Sequence, residues 1–269
     1  MSGNEEENET VRGIGLPATI GLEISREVAI AAESAGYHSF WLNNPPGHAA
    51  TDILGQVVAA TRDIYLGVGI IPVSHTTSEK IVSQVTRHAL PLERFYLGIG
   101  SGSGADGLQR VRDAIEAIRS QVNAQIVVAA LGPKMCRLAG AMADGVLLNW
   151  LTPDFAAPSI DWVRQGADEN NRPMPRLLAY VRVALGVEAG ARLTEEAKRY
   201  AAIPQYAAHF RRMGVAAIDT AIRGDTASKV QEGLAVWDGI VDELVIRATP
   251  GHDTTPDVLA VLDAAKPVG

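Results

Sequence analysis

The chain has 269 residues, 47% hydrophobic and 20% charged, which excludes wholesale disorder and suffices for one large core. Its formal charge is −7, and Glu5, Glu6, Glu7 and Glu9 supply four of those negatives. The modestly acidic remainder offers no broad field for nucleic acid and leaves room only for a local phosphate pocket.

In chain order, residues 1–10 read as a polar, disordered tail ahead of one domain over residues 11–269. The first strand, Val11 to Leu16, is closed by Pro17 and followed by a helix over Glu23 to Ala35 that stops at Gly36. Ser39 to Leu42 and Ile64 to Gly69 are the next strands, with helices over Asp52 to Ala60 and Ser78 to Leu90. Phe95 to Gly100, Ile126 to Ala129 and Gly145 to Asn149 continue the series, each with a helix behind it: Asp106 to Ser120, Lys134 to Ala143 and Phe155 to Asn170. Leu177 to Gly186 alternates cleanly, and two helical stretches, Thr194 to Arg212 and Thr226 to Val236, lead to the last strand at Val241 to Arg247 and a closing helix, Pro256 to Ala265.

Eight strand–helix units in a domain of this length predict an α/β fold of the (β/α)8 TIM barrel type. An open doubly wound sheet would place its glycine turn after the first strand, where this chain has Pro17-Ala18-Thr19-Ile20-Gly21. No run reaches 18 apolar residues, the N-terminus lacks a signal-peptide pattern, and the single Cys136 excludes an intrachain disulfide and a thiolate metal cluster. A cytoplasmic protein with no membrane partner and no metal is expected.

A barrel collects function at the C-terminal ends of its strands, and here those ends are rich in amides, hydroxyls and glycine but poor in carboxylates. Paired acids for glycoside hydrolysis and clustered ligands for metal hydrolysis are missing from them. Hydride transfer through a bound redox cofactor asks less of the protein. Two turns suit a cofactor phosphate, Gly98 to Gly104 and Ala129 to Lys134, each between a strand and a helix. Their glycines admit a second reading, as tight turns that let helices pack closely. Gly67-Val68-Gly69-Ile70-Ile71-Pro72 likewise reads either as a bulge approached by a ligand or as close packing at the rim.

The segments Phe40-Trp41-Leu42, Arg62 to Gly69 and Glu93 to Gly100 resemble the bacterial luciferase-like monooxygenase superfamily. Ala129-Ala130-Leu131-Gly132-Pro133-Lys134-Met135 and Ala143 to Pro153 are similar to its deazaflavin branch, which uses coenzyme F420. The resemblance implies a TIM barrel with the cofactor across its C-terminal mouth. It places phosphate at Ser101, Gly102, Ser103 and Gly104 and at Ala130, Leu131, Gly132, Pro133 and Lys134, and it backs the ring with Gly69, Ile70 and Ile71 around a non-proline cis peptide. It also implies a homodimer.

Where family members often carry an acid and a histidine after the second strand, this chain has Asn43-Asn44-Pro45-Pro46-Gly47-His48. Asparagine orients a carbonyl but is no tuned proton donor, so general-acid work falls to His48, His75 or a substrate-bound water. The connections around the fourth unit are also shorter than in typical members. The resulting expectation is an oxidoreductase that exchanges a hydride between F420 and a small organic substrate. Asn43, His48 and His75 serve catalysis, and Thr19, Asn44 and Trp150 border the substrate. Alternatives are an FMN-dependent monooxygenase or reductase on the same barrel and a noncatalytic flavin- or deazaflavin-binding protein.

Overall fold

The computed structural model describes residues 10–45 and 47–268. Residues 1–9 of the expected tail lie outside them, whereas Thr10 is buried, donating its hydroxyl to the Val241 carbonyl at 2.7 Å. Nine strands follow: β1 (Val11–Pro17), β2 (Ser39–Asn43), β3 (Tyr65–Pro72), β4 (Phe95–Gly100), β5 (Gln125–Ala130), β6 (Gly145–Asn149), β7 (Arg176–Leu185), β8 (Ile222–Gly224) and β9 (Glu243–Thr249). All pairings are parallel, and the eight strands β1 to β7 and β9 close a ring through β6–β7, β7–β9 and β9–β1. The expected (β/α)8 barrel is therefore the fold.

Ten helices lie outside that ring among the described residues: α1 (Leu22–Ser34), α2 (Ala50–Val57), α3 (Ser78–Arg87), α4 (Gly107–Arg119), α5 (Pro133–Met142), α6 (Pro153–Glu169), α7 (Val187–Ala201), α8 (Pro204–Met213), α9 (Ala227–Ala235) and α10 (Thr255–Ala264). Two details depart from the sequence reading. The stretch expected as one helix over Thr194 to Arg212 is two, because Pro204 cannot continue a helix and instead starts the next one. The three-residue β8 was not anticipated; it pairs only with the C-terminal end of β7 and is too short to show an alternating pattern.

Residues facing the helices, such as Ile14, Leu16, Leu66, Leu97, Val128, Val181 and Ile246, form the main apolar layer with the inner stripes of the helices. A second cluster fills the barrel itself: Trp41, Tyr96, Val127, Leu147, Leu178, Tyr180 and Val245. Strand alternation separates the two layers, so on β7 and β9 the residues Arg176, Leu178, Tyr180, Arg182 and Ala184, and Glu243, Val245, Arg247 and Thr249, look inward.

The glycines of β3 and β4 are explained by close approach. A Cβ on Gly67 would lie 2.3 Å from the Trp41 ring, and one on Gly98 would lie 2.0 Å from the Val68 carbonyl oxygen. The β3–β4 register shifts between Val68 and Ile71, and the Gly69–Ile70 peptide is cis, as the resemblance implied. Gly67 makes room for Trp41 inside the barrel, and Gly69 sits in a bulge.

Candidate functional site at the barrel mouth

The loop after β4 is built around a guanidinium. Arg110, on the first turn of α4, donates from Nη2 to the carbonyls of Ser103 at 2.9 Å and Ser101 at 3.4 Å, and from Nη1 to that of Ala105. Three carbonyls of the loop are thereby turned toward one cation. Gly102 and Gly104 take positive φ of 66° and 89°, backbone that glycine adopts without steric cost. A Cβ on Gly102 would also fall 1.9 Å from Ser74 Oγ. That hydroxyl accepts from Ser103 N at 3.3 Å, and the Ser103 hydroxyl lies 3.4 Å from His75 Nε2. Ser101, Gly102, Ser103 and Gly104 thus form a cradle with the loop after β3.

The neighbouring loop, after β5, ends at the N-terminus of α5, with Pro133 at its first position and Gly132 as the cap. Ala130 is buried, Lys134 is exposed, and Ile99 pairs with Val128, so the two candidate loops leave adjacent strands. The cation seated at this turn is Arg212 of α8, whose Nη1 donates to the Leu131 carbonyl at 3.3 Å and whose guanidinium lies 3.4 Å from where a Gly132 Cβ would be. Arg212 also lies 3.4 Å from His209 Nδ1, while His209 Nε2 sits 2.9 Å from the Trp150 carbonyl. Burial lowers the His209 pKa, opposed by its hydrogen bond to the Trp150 carbonyl and assisted by Arg212. These partners assign Nε2 as the donor to Trp150 and Nδ1 as the acceptor from Arg212. Arg212 and His209 were missed because they follow β5 by some eighty positions in sequence; the break at Pro204 is the one signal that aims α8 here.

The residues expected to serve chemistry divide. Asn43, at the end of β2, accepts the Tyr180 hydroxyl through Oδ1, which leaves its amide N–H groups as donors. Asn44 accepts from Ala50 N at 2.8 Å and so holds the start of α2. His48 and His75 are exposed on a cavity of about 430 Å³ that also takes in Asn44, Thr76, Lys80 and Gln84. Thr19 is exposed at the rim after β1. Ile71 is buried and Ile70 packs on the cluster inside the barrel. Trp150 is 1% exposed with φ 52°, its ring 3.6 Å from the Arg182 guanidinium carbon.

Deeper in the mouth, Arg182 of β7 is 1% exposed and donates to Glu196 Oε1 of α7 at 3.1 Å and to Asn149 Oδ1 at 2.6 Å. Arg247 of β9 stands opposite it in register and lies 3.9 Å from Glu196 Oε2. Burial disfavours the Glu196 carboxylate, but the two guanidinium groups outweigh it and hold its pKa below the ordinary value. Burial pushes the Tyr180 phenol up to about 12 despite the same arginines. Arg247 Nε, Thr249 Oγ1 and Trp150 Nε1 are sealed from water without a hydrogen-bond partner. Among the described residues no group of three or more His, Cys, Asp or Glu is placed to hold a metal ion, and no helix is long and apolar enough to cross a membrane.

Comparison with known proteins agrees with this geometry. An F420-dependent secondary alcohol dehydrogenase, solved with an F420–acetone adduct, superposes with a TM-score of 0.75 at 13% identity, covering 96% of this chain and 100% of that one. The FMN-containing oxygenating constituent of 3,6-diketocamphane monooxygenase from Pseudomonas putida gives 0.70 at 14% identity over 94% and 97% of the two chains. At such identities the likeness is one of fold. An N-acetyl-S-alkylcysteine monooxygenase of Bacillus subtilis (strain 168) is 34% identical over 117 residues, 41% of this chain and 34% of that protein, so the match spans about a third of the relative's length. The sequence model of the luciferase-like monooxygenase family matches residues 107–252, more than half of the chain, and the chain belongs to that family.

Proposed function

We propose that this protein is an oxidoreductase that exchanges a hydride between coenzyme F420 and a small organic substrate at the barrel mouth. The observation that carries the reading is the loop around Gly102: three carbonyls face Arg110, and a glycine lies where any Cβ would strike Ser74. Such a cradle of backbone N–H groups and hydroxyls fits a phosphate ester. The choice of deazaflavin over flavin is favoured by the resemblance of Ala129 to Met135 and Ala143 to Pro153 to the F420 branch and by the fold likeness to an F420-dependent dehydrogenase.

In this reading Ser74, Ser103 and the N–H groups of Gly102 and Gly104 hold the phosphate. Gly132, Pro133 and Lys134 present the start of α5 beside it, where the helix dipole favours an anion, and Arg212 adds a full positive charge. The bulge at Gly69, Ile70 and Ile71 would support the ring. When bound, a deazaflavin supplies the carbon that gives or takes the hydride. Asn43 donates an amide N–H to a substrate oxygen, its Oδ1 being fixed by Tyr180. His75 or His48 exchanges the proton with solvent through the cavity they share.

An FMN-dependent monooxygenase is the second reading, favoured by the Bacillus subtilis relative, which is named a monooxygenase. Fluorescence titration with F420 and with FMN separates the two. The expected result is micromolar binding of F420, tighter than of FMN, and at least about tenfold weaker binding by Gly102→Val, since the new side chain displaces Ser74 and fills the cradle. Tighter binding of FMN would transfer the assignment to the second reading. Binding of neither would end both.

A further inference from the structure

The mouth holds more buried positive charge than the protein itself neutralises. Arg182 and Arg247 face each other on adjacent strands, 1% and 9% exposed, and Glu196 is the one carboxylate bridging them among the described residues. An arginine does not shed its proton to escape burial, so one charge remains to be met by something else. The two are not equivalent. Arg182 is fully engaged by Glu196, by Asn149 and by the Trp150 face. Arg247 donates from Nη1 to the adjacent Ala248 carbonyl, stands 3.9 Å from Glu196, and leaves Nε without a partner.

Thr249, next above it on the same inward face, also carries an unpartnered hydroxyl while 5% exposed. On the other flank, β1 opposes Arg247 with Gly15, whose missing side chain makes room for the Tyr180 phenol, its hydroxyl 2.5 Å from where a Gly15 Cβ would be. Of the other polar groups nearby, Tyr180 is paired with Asn43 and Asn149 with Arg182, while Trp150 Nε1 has no partner.

We propose that Arg247 and Thr249 form an anion subsite that selects substrates bearing a carboxylate. A planar carboxylate matches the guanidinium fork and accepts from the hydroxyl beside it. The inference names the substrate class of the oxidoreductase proposed above and rests on that reading as to use, but anion binding is measurable on the chain without any cofactor. Loss of F420 and FMN binding and loss of carboxylate binding are therefore separate results.

The test is calorimetric titration with propionate, and with propionamide as its neutral counterpart of similar shape, at constant ionic strength. Saturable propionate binding is expected, with propionamide weaker by about tenfold or more. Arg247→Gln should lose about tenfold or more in propionate affinity. Thr249→Val is the variant that cannot fail through misfolding, because removing an unpartnered buried hydroxyl leaves no group unsatisfied; it should weaken propionate severalfold at an unchanged unfolding midpoint. Equal binding of propionate and propionamide, no saturation by propionate, or wild-type propionate affinity in both variants would overturn the proposal.

Discussion

The two ends of the barrel use the same chemical parts differently, and β7 and β9 run through both. At the floor, Glu243 is fully buried, accepts from Ser39 Oγ, and takes Arg176 Nε at 3.2 Å and Trp41 Nε1 at 3.4 Å, with His38 Nε2 at 3.7 Å. Glu243 gathers these donors around one carboxylate, and a stack of His38, Tyr65, Tyr96 and Trp41, with successive ring centroids 4.7 to 5.4 Å apart, covers it. At the mouth, two inward arginines share one carboxylate, and Arg247 Nε, Thr249 Oγ1 and Trp150 Nε1 have no partner; elsewhere among the described residues Arg110 Nε, in the loop after β4, and Arg172 Nε, at the floor end, are also unpartnered. A cluster gathered on one acceptor suits a role in the fold, and the unsatisfied donors around Arg247 suit the anion subsite proposed there.

The largest consequence is expected at the floor. Glu243→Ala removes the acceptor of Ser39 and Trp41 and the counter-charge of Arg176 together, at a cost of about 3–5 kcal/mol in urea unfolding. A loss below about 1 kcal/mol would mean that the floor network is not structural and would break the contrast.

A pH experiment comes next, because a half-buried histidine, His38, lies at the floor and a buried one, His209, at the mouth. Burial lowers the pKa of His38, opposed by Glu243 and assisted by Arg176, and lowers that of His209, opposed by the Trp150 carbonyl. A depressed folded value means that the unfolded chain binds protons the native chain refuses. Neither ring affects stability well above the ordinary histidine value of 6.5, and stability falls as pH drops from there toward the depressed folded values. His209→Gln keeps a donor for Trp150 but has no proton to bind, so it should flatten that fall; an unchanged slope between about pH 6.5 and pH 5 would assign the effect to His38 and the floor.

The contrast also shows which parts of the molecule are legible from sequence. The eight barrel strands were readable because Val, Ile and Leu run continuously between glycine and proline stops, and burial on both faces requires that. The turns at Gly102 and Gly132 were readable because positive φ and a helix start leave local signatures. Arg182 was not: within the apolar run of β7 it is a single polar residue, and its meaning comes from Arg247 and Glu196, which are placed beside it only by closure of the barrel. The hydrogen bond from Ala50 N to Asn44 was not legible for a related reason, since it exists only once α2 is in place.

The smallest expected effect gives the sharpest comparison. Ser39 at the floor and Thr249 at the mouth are both buried hydroxyls on inward faces, so burial alone predicts similar costs for removing them. Partnership predicts otherwise. Ser39 accepts from Trp41 Nε1 at 2.7 Å and donates to Glu243, so Ser39→Ala leaves the indole N–H only its longer, 3.4 Å contact to Glu243 and removes a donor from that carboxylate, for about 1–3 kcal/mol. Thr249→Val exchanges an unpartnered hydroxyl for a methyl of the same shape, so its unfolding free energy should stay within about 0.5 kcal/mol of wild type or rise. Equal losses in the two variants would mean that the Thr249 hydroxyl already has a partner in the folded protein, and the mouth would then be as complete as the floor.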